Sequence, residues 1–154
     1  MKPAMITNLE NGVYTLYFAG IEPKACQSVR TGKGSFYQPK EVVNWKNSIA
    51  FLAKRGMTQL TNGVPVTGAI EVTKLVYLMR TPQRLSKLQK RLFLELKSLN
   101  HSSRPDIEDN LSKGFFDALK GICFGDDSKV CTMRNVEKRY SPEPGILIIF
   151  RDER

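Results

Sequence analysis

The stretch Arg-Pro-Asp-Ile-Glu-Asp-Asn-Leu-Ser-Lys, residues 104 to 113, is the part of this chain from which its fold and chemistry can be argued. It opens the most acidic region of a basic protein, which has 24 Lys and Arg residues against 15 Asp and Glu residues. Six of those 15 acids lie in this stretch or shortly after it: Asp106, Glu108, Asp109, Asp117, Asp126 and Asp127. Because hard divalent cations such as Mg²⁺ prefer oxygen ligands, this concentration of carboxylates predicts a cation site.

The residues that follow have the spacing of an amphipathic helix from Asp109 to Lys120, with Gly121 at its end. Apolar residues three and four positions apart form one stripe: Leu111, Phe115, Ala118, Leu119 and Ile122. Asp109, Lys113 and Asp117 recur at every fourth position, so they are predicted to lie together on the opposite face.

Asp127 lies beyond this predicted helix, but the chain is long enough to bring it back. Residues 121 to 127 span up to ~23 Å when fully extended, whereas the predicted helix is roughly 16 Å long. Asp127 can therefore return beside Asp109. Three or four carboxylates and Lys113 could then converge on one cation.

A purely structural interpretation explains the same acids without a metal. Acidic residues are common in the first turn of a helix, because they accept hydrogen bonds from free N–H groups and suit the helix dipole. Asp106 and Asp109 could form a pair of the capping-box kind, and Asp126-Asp127 could simply make a turn. The residue pattern alone leaves both interpretations open.

Three motifs of this region resemble the core of the RusA-type Holliday-junction resolvases. They are Arg-Pro-Asp-Ile-(Glu)-Asp-Asn-Leu-x-Lys from Arg104, Phe-Asp-Ala-Leu-Lys-Gly from Phe116, and Gly-Asp-Asp-Ser-Lys-Val from Gly125. Weaker similarity extends upstream to residue 20 and downstream through residues 137–145 to the last apolar strand. The resemblance covers most of the chain, and its specific part is residues 104–130.

This resemblance implies a small Mg²⁺-dependent endodeoxyribonuclease, of a kind often encoded by phages and prophages, that resolves four-way DNA junctions by paired nicking. Mn²⁺ is an alternative metal. Catalytic, metal-binding carboxylates are implied at Asp106, Asp109 and Asp127, and a functional lysine at Lys113. The whole chain, residues 1–154, is expected to form one such domain.

The surroundings of these residues and the assembly follow from the same resemblance. Asn110, Asp117 and Asp126 are expected to support the metal ligands without binding the metal themselves, although Asp117 could instead pair with Lys113 or Lys120. A homodimer is implied, because two symmetrical nicks in a junction require two active sites related by a two-fold axis.

The chain departs from the family pattern at one point. The family usually reads Asp-x-Asp-Asn, whereas this chain has one more residue in Asp106-Ile107-Glu108-Asp109-Asn110. Counting back from Asp109 puts Ile107, which cannot bind a metal, in the place of the first acid. Either Asp106 reaches the metal through a bulged backbone, or Glu108 takes over that ligand position.

Charge points to the same class of partner. The net charge is +9 and the isoelectric point about 9.6, which favours nucleic acid first and an anionic membrane surface second. Residues predicted to contact DNA lie in a turn near residue 33 and on a basic helix over 84–99: Lys33, Arg84, Lys87, Lys90 and Arg91. A solvated basic face is the alternative for that helix, and its leucines are one candidate dimer surface.

Other classes of protein are disfavoured by composition. No apolar run approaches the ~18 residues of a membrane span, and the polar-mixed start lacks a secretory signal. The three cysteines, Cys26, Cys123 and Cys131, show no CxxC spacing and are expected to be buried thiols in a reducing compartment. The expected location is the cytosol of a bacterium or of a phage-infected host. His101 is the only histidine, which excludes a zinc site built from several histidines.

The remaining pattern predicts an α+β fold, a single domain in which a mixed β-sheet packs against two or three helices. Strands are predicted over residues 14–21, 26–30, 69–79, 129–138 and 145–150, with a short hairpin around Asn11-Gly12. Helices are predicted over 41–55, ended by Gly56, over 84–99 and over 109–120. The apolar face of the first helix comprises Val42, Trp45, Ile49, Leu52 and Ala53.

Two further functions remain open. A non-catalytic protein that binds branched DNA would use the acids only as caps and turns, so they would be replaceable without loss of activity. A nuclease acting on flaps or on other branched DNA would keep the carboxylates but choose a different substrate.

Overall fold

The protein is described by a computed structural model over residues 2–25, 30–32, 35–81, 86–96, 99–100 and 107–153, with side chains excepted at 30–32, 35–37, 92–96, 99–100 and 108–110. The strands are β1 (Ala4–Glu10), β2 (Val13–Ala19), β3 (Arg30–Gly32), β4 (Ser35–Tyr37), β5 (Ile70–Arg80), β6 (Leu99–Asn100), β7 (Val130–Met133), β8 (Val136–Ser141) and β9 (Gly145–Asp152). The helices are α1 (Lys40–Thr61), α2 (Lys87–Leu96) and α3 (Lys113–Leu119). A π-helical turn, Ile107–Ser112, precedes α3, and a 3₁₀ turn, Asp127–Lys129, precedes β7.

The main sheet is mixed, which confirms the predicted α+β class. Its strands within the described ranges follow the order β1-β2-β9-β5-β8-β6, and β7 also pairs with β5. β5 runs antiparallel to β9 but parallel to β7 and β8. β5 therefore lies inside the sheet, with β9 on one side of it and the parallel strands β7 and β8 on the other.

The predicted N-terminal hairpin is confirmed and is longer than the sequence suggested. β1 and β2 pair over their whole length, from Ala4 opposite Ala19 to Glu10 opposite Val13. Asn11 and Gly12 form the two-residue turn with φ of 53° and 75°. Both angles are positive, as the hairpin turn that matches strand twist requires, and Asn-Gly is the pair that most readily adopts them.

Helix α1 does not end at Gly56 as predicted; it continues to Thr61 and ends at Asn62, which has a left-handed φ of 57°. Gly56 is buried where α1 crosses the first hairpin. A Cβ atom there would lie 2.9 Å from Cγ2 of Thr7 and 3.1 Å from Cδ2 of Leu16. Glycine inside a helix costs about 1 kcal/mol relative to alanine, and here the close approach of helix and sheet offsets that cost.

The apolar face predicted for α1 is confirmed. Val42, Ile49, Leu52 and Ala53 are buried, and Trp45 packs against the core while its indole N–H donates to the carbonyl oxygen of Glu22 at 2.9 Å. The helix therefore covers the sheet through the stripe that the sequence indicated.

The predicted helix over 84–99 is shorter than expected, since α2 begins at Lys87 within the described residues. Its start is fixed by a reciprocal pair of hydrogen bonds. The backbone N–H of Gln89 donates to the Ser86 hydroxyl at 3.1 Å, and the backbone N–H of Ser86 donates to the Gln89 side chain at 3.0 Å. This is a capping box, and Ser-x-x-Gln was its signal in the sequence.

The prediction of a single strand over 129–138 is wrong in one respect. The strand is interrupted at Arg134-Asn135, which divides it into β7 and β8. Asn135 has a φ of 51°. Its side-chain amide donates to the carbonyl oxygen of Thr73 at 3.1 Å, opposite an irregularity in β5 between Val72 and Lys74. The break is therefore anchored to the central strand and turns the chain without separating it from the sheet.

Two further expectations can be compared with the described residues. Cys123 is buried, and burial raises the pKa of its thiol to about 12, but Cys131 is exposed, so the prediction of buried cysteines is wrong there. Cys26 lies outside the described residues, as does His101. Among the described helices, none is long and apolar enough to cross a membrane.

Replacing Gly56 with leucine should lower the free energy of unfolding by about 1–3 kcal/mol, because the new side chain has to push the first hairpin away from α1. Chemical denaturation followed by circular dichroism would measure this loss. Arg55→Leu, at the neighbouring exposed position, is the matched control and should change stability little. Equal stabilities for the two variants would contradict the close packing at Gly56.

Candidate catalytic groove

A groove of about 600 Å³ opens between the start of α3 and the pair β7–β8. We call it the catalytic groove, and it is lined by Ile107, Ser112, Lys113, Phe116, Asp127, Val130, Met133 and Val136. Lys113 and Asp127, two residues singled out from the sequence, therefore face the same space. The chain does return Asp127 to the start of the helix, as its length allowed.

The first part of the predicted helix is not α-helical. Residues 107–112 form a π-helical turn, and regular α-helix begins only at Lys113. In a π-helix the hydrogen bonds join residues five apart, so a turn holds one more residue than an α-helical turn. The α-helical spacing assumed between Asp109 and Lys113 therefore does not apply, whereas that between Lys113 and Asp117 does.

The end of the π-helical turn is fixed to the central strand by a buried hydrogen bond. The hydroxyl groups of Tyr77 on β5 and Ser112 lie 3.0 Å apart, with Tyr77 fully buried and Ser112 8% exposed. A buried bond of this kind resists displacement, because either partner would be costly to leave unpaired. It sets the position of Lys113, the next residue along the chain.

The segment that brings Asp127 back is anchored by Phe124. Its side chain is fully buried, and its ring lies 6.1 Å from that of Phe116 on α3 and 6.3 Å from that of Phe150 on β9. The turn begins at Gly121, whose φ is 77° and whose N–H donates to the carbonyl oxygen of Phe124 at 2.7 Å. The burial of Phe124 was not predicted from the sequence, although a phenylalanine in the short segment between Gly121 and Gly125 was a signal for it.

When Asp127 is protonated, its carboxyl group can donate a hydrogen bond to the neighbouring Asp126 carboxylate. This bond lowers the pKa of Asp126, helped by the neighbouring Lys120 ammonium, which lies 3.6 Å away. The same bond raises the pKa of Asp127, as do partial desolvation and the negative charges of Asp126 and Asp117. The Lys120 ammonium partly offsets these effects. A divalent cation would favour the ionised form of Asp127 in the same way, by adding positive charge beside it.

Asp117 pairs with neither Lys113 nor Lys120. Its carboxylate lies 3.2 Å from the ammonium of Lys46 on α1, whose side chain is only 15% exposed. The reason is tertiary, since α1 packs directly against α3. Asp117 therefore fixes the two helices to each other while its charge still acts on Asp127.

Several predicted residues lie outside what the structure describes. Asp106, Lys33 and Arg84 fall outside the described residues, and the backbone alone is described for Glu108, Asp109 and Asn110. Among described side chains, no group of three metal-binding residues is brought together. On α2, the predicted DNA-contacting residues Lys87, Lys90 and Arg91 are exposed.

Comparison with known proteins settles the family. Residues 20–151 match the protein family described as Endodeoxyribonuclease RusA. The chain belongs to the RusA family. A protein of Bacillus subtilis strain 168, described as uncharacterized protein YqaN, is 28% identical to it over 125 residues, which cover 81% of this chain and 84% of that one.

Membership confirms the resemblance drawn from residues 104–130 and implies endodeoxyribonuclease activity, in a family that binds DNA junctions and whose nucleases are generally dependent on a divalent metal. In the described part of the groove, Asp127 offers carboxylate oxygens for such a metal. Hard divalent cations take ligands of this kind.

Asp126→Asn should lower the pKa of Asp127 toward the usual range of a carboxyl group. The variant removes a negative charge, and the new amide can donate to an ionised Asp127, so both changes favour its ionised form. Carbon-13 NMR titration of the carboxyl signals, without added metal, would measure the shift. Asp117→Asn should lower the same pKa by less, because its charge is the weakest of the raising influences. An unchanged pKa in Asp126→Asn would contradict the shared hydrogen bond.

Proposed function

We propose that this protein is a Mg²⁺-dependent, structure-selective endodeoxyribonuclease that resolves Holliday junctions by paired nicking, with Mn²⁺ as an alternative metal. The observation that carries the proposal is the position of Lys113 and Asp127 in one groove of a RusA-family chain. The interpretation of these acids as mere caps does not explain why Asp127, distant in sequence, returns to a groove beside a lysine.

In this proposal Asp106, Asp109 and Asp127 hold the metal. A bound Mg²⁺ would polarise the scissile phosphate and lower the pKa of the attacking water. The chain's own contribution is to fix the groups around it. Asp127 is placed by the 3₁₀ turn that it begins and by the buried Phe124 three residues earlier, and Lys113 is positioned by the Tyr77–Ser112 bond one residue earlier.

Lys113 supplies positive charge to the same groove. It is exposed on the first turn of α3 and lines the groove with Asp127. A phosphodiester gains negative charge as water attacks it, so an ammonium group fixed nearby stabilises the transition state more than the ground state. We therefore assign Lys113 to the stabilisation of that charge, and Asn110 to the support of the neighbouring carboxylate.

The π-helical turn supports Asp106 over Glu108 as the first ligand. The chain has one residue more than the family pattern at this point, and a π-helical turn holds one residue more than an α-helical turn. The extra residue can thus be absorbed by the turn itself, so that Asp106 keeps the place of the family's first acid. Glu108 would then be the additional residue.

Binding to DNA is proposed to rest on the +9 net charge and on the exposed basic residues of α2, together with Lys33 and Arg84. Phosphate contacts of this kind give affinity without sequence preference. They leave the choice between junction and duplex to the shape of the DNA.

Asp109→Asn and Asp127→Asn should each abolish Mg²⁺-dependent cleavage of a synthetic four-way junction while binding is unchanged or tighter. Each variant loses a metal ligand but also lessens the repulsion of phosphates. Lys113→Ala should slow cleavage by about 10²–10³-fold, as the loss of one charge-stabilising group does. Gel assays with junction and linear duplex, with and without Mg²⁺, would measure both properties.

The matched control is Glu10→Gln, which changes an exposed carboxylate at the far end of β1. It should cleave like the unchanged protein. Normal cleavage by Asp109→Asn would refute the nuclease proposal and would favour the interpretation of these acids as helix caps.

The π-helical turn generates a separate prediction. Asp106→Asn should remove cleavage, whereas Glu108→Gln should reduce it by less than about tenfold, a barrier increase of ~1.4 kcal/mol. Measuring Mg²⁺ affinity of the two variants by calorimetry gives a second readout that is independent of turnover. If Glu108→Gln loses both properties and Asp106→Asn keeps them, the ligand role belongs to Glu108.

A homodimer is proposed because paired nicks require two active sites. Leu88 on α2 is 65% exposed, which leaves an apolar position available for a partner subunit. Light scattering at micromolar concentration should give twice 17.5 kDa, and Leu88→Lys should favour the monomer. A mass of one chain, both free and bound to a junction, would refute the dimer.

A further inference from the structure

The catalytic groove is lined by two chemically different groups of side chains. One group is Lys113 and Asp127, and the other, which we call the apolar wall, is Ile107, Phe116, Val130, Met133 and Val136. An anionic phosphodiester backbone gains nothing from an apolar wall, because its charge prefers water or a cation. Whatever touches that wall in the complex must itself be apolar.

We propose that the apolar wall of the groove is a subsite for an unstacked nucleobase of the DNA substrate, with Met133 as the exposed residue that contacts the unstacked base. The proposal rests on the proposed nuclease function and names how that site would select its substrate. It concerns the base beside the scissile phosphate, since that base is covalently attached to the group that Lys113 and Asp127 would receive.

Met133 is presented in a way that fits this role. It is 41% exposed at the end of β7, and among the exposed large apolar residues of the described chain it is the one that lines the catalytic groove. Methionine is one of the apolar residues that DNA-bending proteins insert between base steps. Its unbranched side chain adapts to an irregular aromatic surface.

The turn that carries Met133 is held rigidly. The N–H of Arg134 donates to the carbonyl oxygen of Val72 at 2.8 Å, and the N–H of Leu75 donates to that of Asn135 at 3.2 Å. The Arg134 guanidinium lies 3.0 Å from the carboxylate of Glu71, whose side chain is only 10% exposed. Because the backbone of this turn is already fixed, little backbone entropy is lost when Met133 meets a ligand.

The size of the groove suits the same ligand. Its volume of about 600 Å³ lies within the roughly 300–1,000 Å³ typical of small-molecule pockets, so it can hold a base and its sugar. In continuous duplex the base is stacked and paired, and it has to be extracted at a cost. At a branch point the stack is interrupted, so extraction costs least there. The subsite would therefore favour branched DNA over linear duplex.

The test uses the full-length protein, Ca²⁺ in place of Mg²⁺ to prevent cleavage, and a synthetic four-way junction. The nick position is first mapped with the unchanged protein and Mg²⁺. 2-Aminopurine, which fluoresces when unstacked, then replaces the base on each side of that position. Binding should raise the fluorescence several-fold at one of the two positions. Met133→Ala should remove most of that rise, and Ile6→Ala, exposed on β1, should preserve it.

A second arm couples the residue to the base. An abasic nucleotide at the responsive position should weaken binding by the unchanged protein by roughly tenfold but should leave Met133→Ala almost unaffected, as a double-mutant cycle requires for a direct contact. Val136→Thr keeps shape and strand preference while adding a polar group to the wall. It should weaken the coupling in the same direction, and thermal melting checks that each variant is folded.

The outcomes separate this inference from the nuclease proposal. If the unchanged protein cleaves the junction but produces no fluorescence rise, or if folded Met133→Ala retains the whole rise, the base subsite is refuted while the nuclease stands. If no cleavage occurs with Mg²⁺ or Mn²⁺, the nuclease proposal fails, and the base subsite, which rests on it, fails with it. If Met133→Ala changes the mass of the oligomer measured without DNA and leaves the fluorescence rise intact, the apolar wall is an interface between copies of the chain, and the base subsite is refuted.

Discussion

A chain of contacting aromatic rings connects the parts of this molecule that hold the catalytic groove. Phe115 on α3 lies with its ring 5.4 Å from Phe18 on β2 and 6.0 Å from Tyr77 on β5, in edge-to-face geometry. Phe116 continues the chain to Phe124, and Phe124 to Phe150 on β9. Aromatic pairs of this kind add about 0.5–1.5 kcal/mol each beyond their buried area. The start of α3, the return segment and the central strands are thereby held as one body.

The electrostatics of the groove depend on that packing. A basic protein would ordinarily disperse its few carboxylates among its cations, yet here Asp117, Asp126 and Asp127 influence one another. Lys46 and Lys120 neutralise two of them from the side, at 3.2 Å and 3.6 Å. Asp127 keeps a raised pKa and lines the catalytic groove together with Lys113. Packing energy from the aromatic chain is what keeps these like charges close together.

The π-helical turn is a local irregularity at the start of an otherwise regular helix. π-helical turns are rare and are frequent at functional positions. In this chain the turn coincides with the one additional residue of the acidic motif, and the buried Tyr77–Ser112 bond closes it before regular helix begins. The irregularity is confined to Ile107–Ser112, so α3 and the residues after it keep ordinary helical spacing.

Local signals in the sequence predicted the fold class, the family and the positions of most helices and strands. Periodicity identified the buried faces of α1 and α3, and Asn11-Gly12 identified the first hairpin, because these signals are local and depend on side-chain spacing and on backbone preference at single residues. It also indicated that Asp127 could return to the helix, since that required only chain length. The roles of Asp106, Asp109 and Asp127 remain predictions.

Tertiary structure alone decided the rest. Helix α1 continues past Gly56, where the first hairpin approaches so closely that a side chain would not fit. In the sequence, the same glycine had indicated the end of the helix. Asp117 pairs with Lys46, which is distant in sequence and is brought near by helix packing. The apolar wall of the groove combines Ile107 of the π-helical turn, Val130 and Met133 of β7, and Val136 of β8. Local sequence patterns carry no information about which distant residues meet, because such meetings depend on how the buried surfaces of the whole chain fit together.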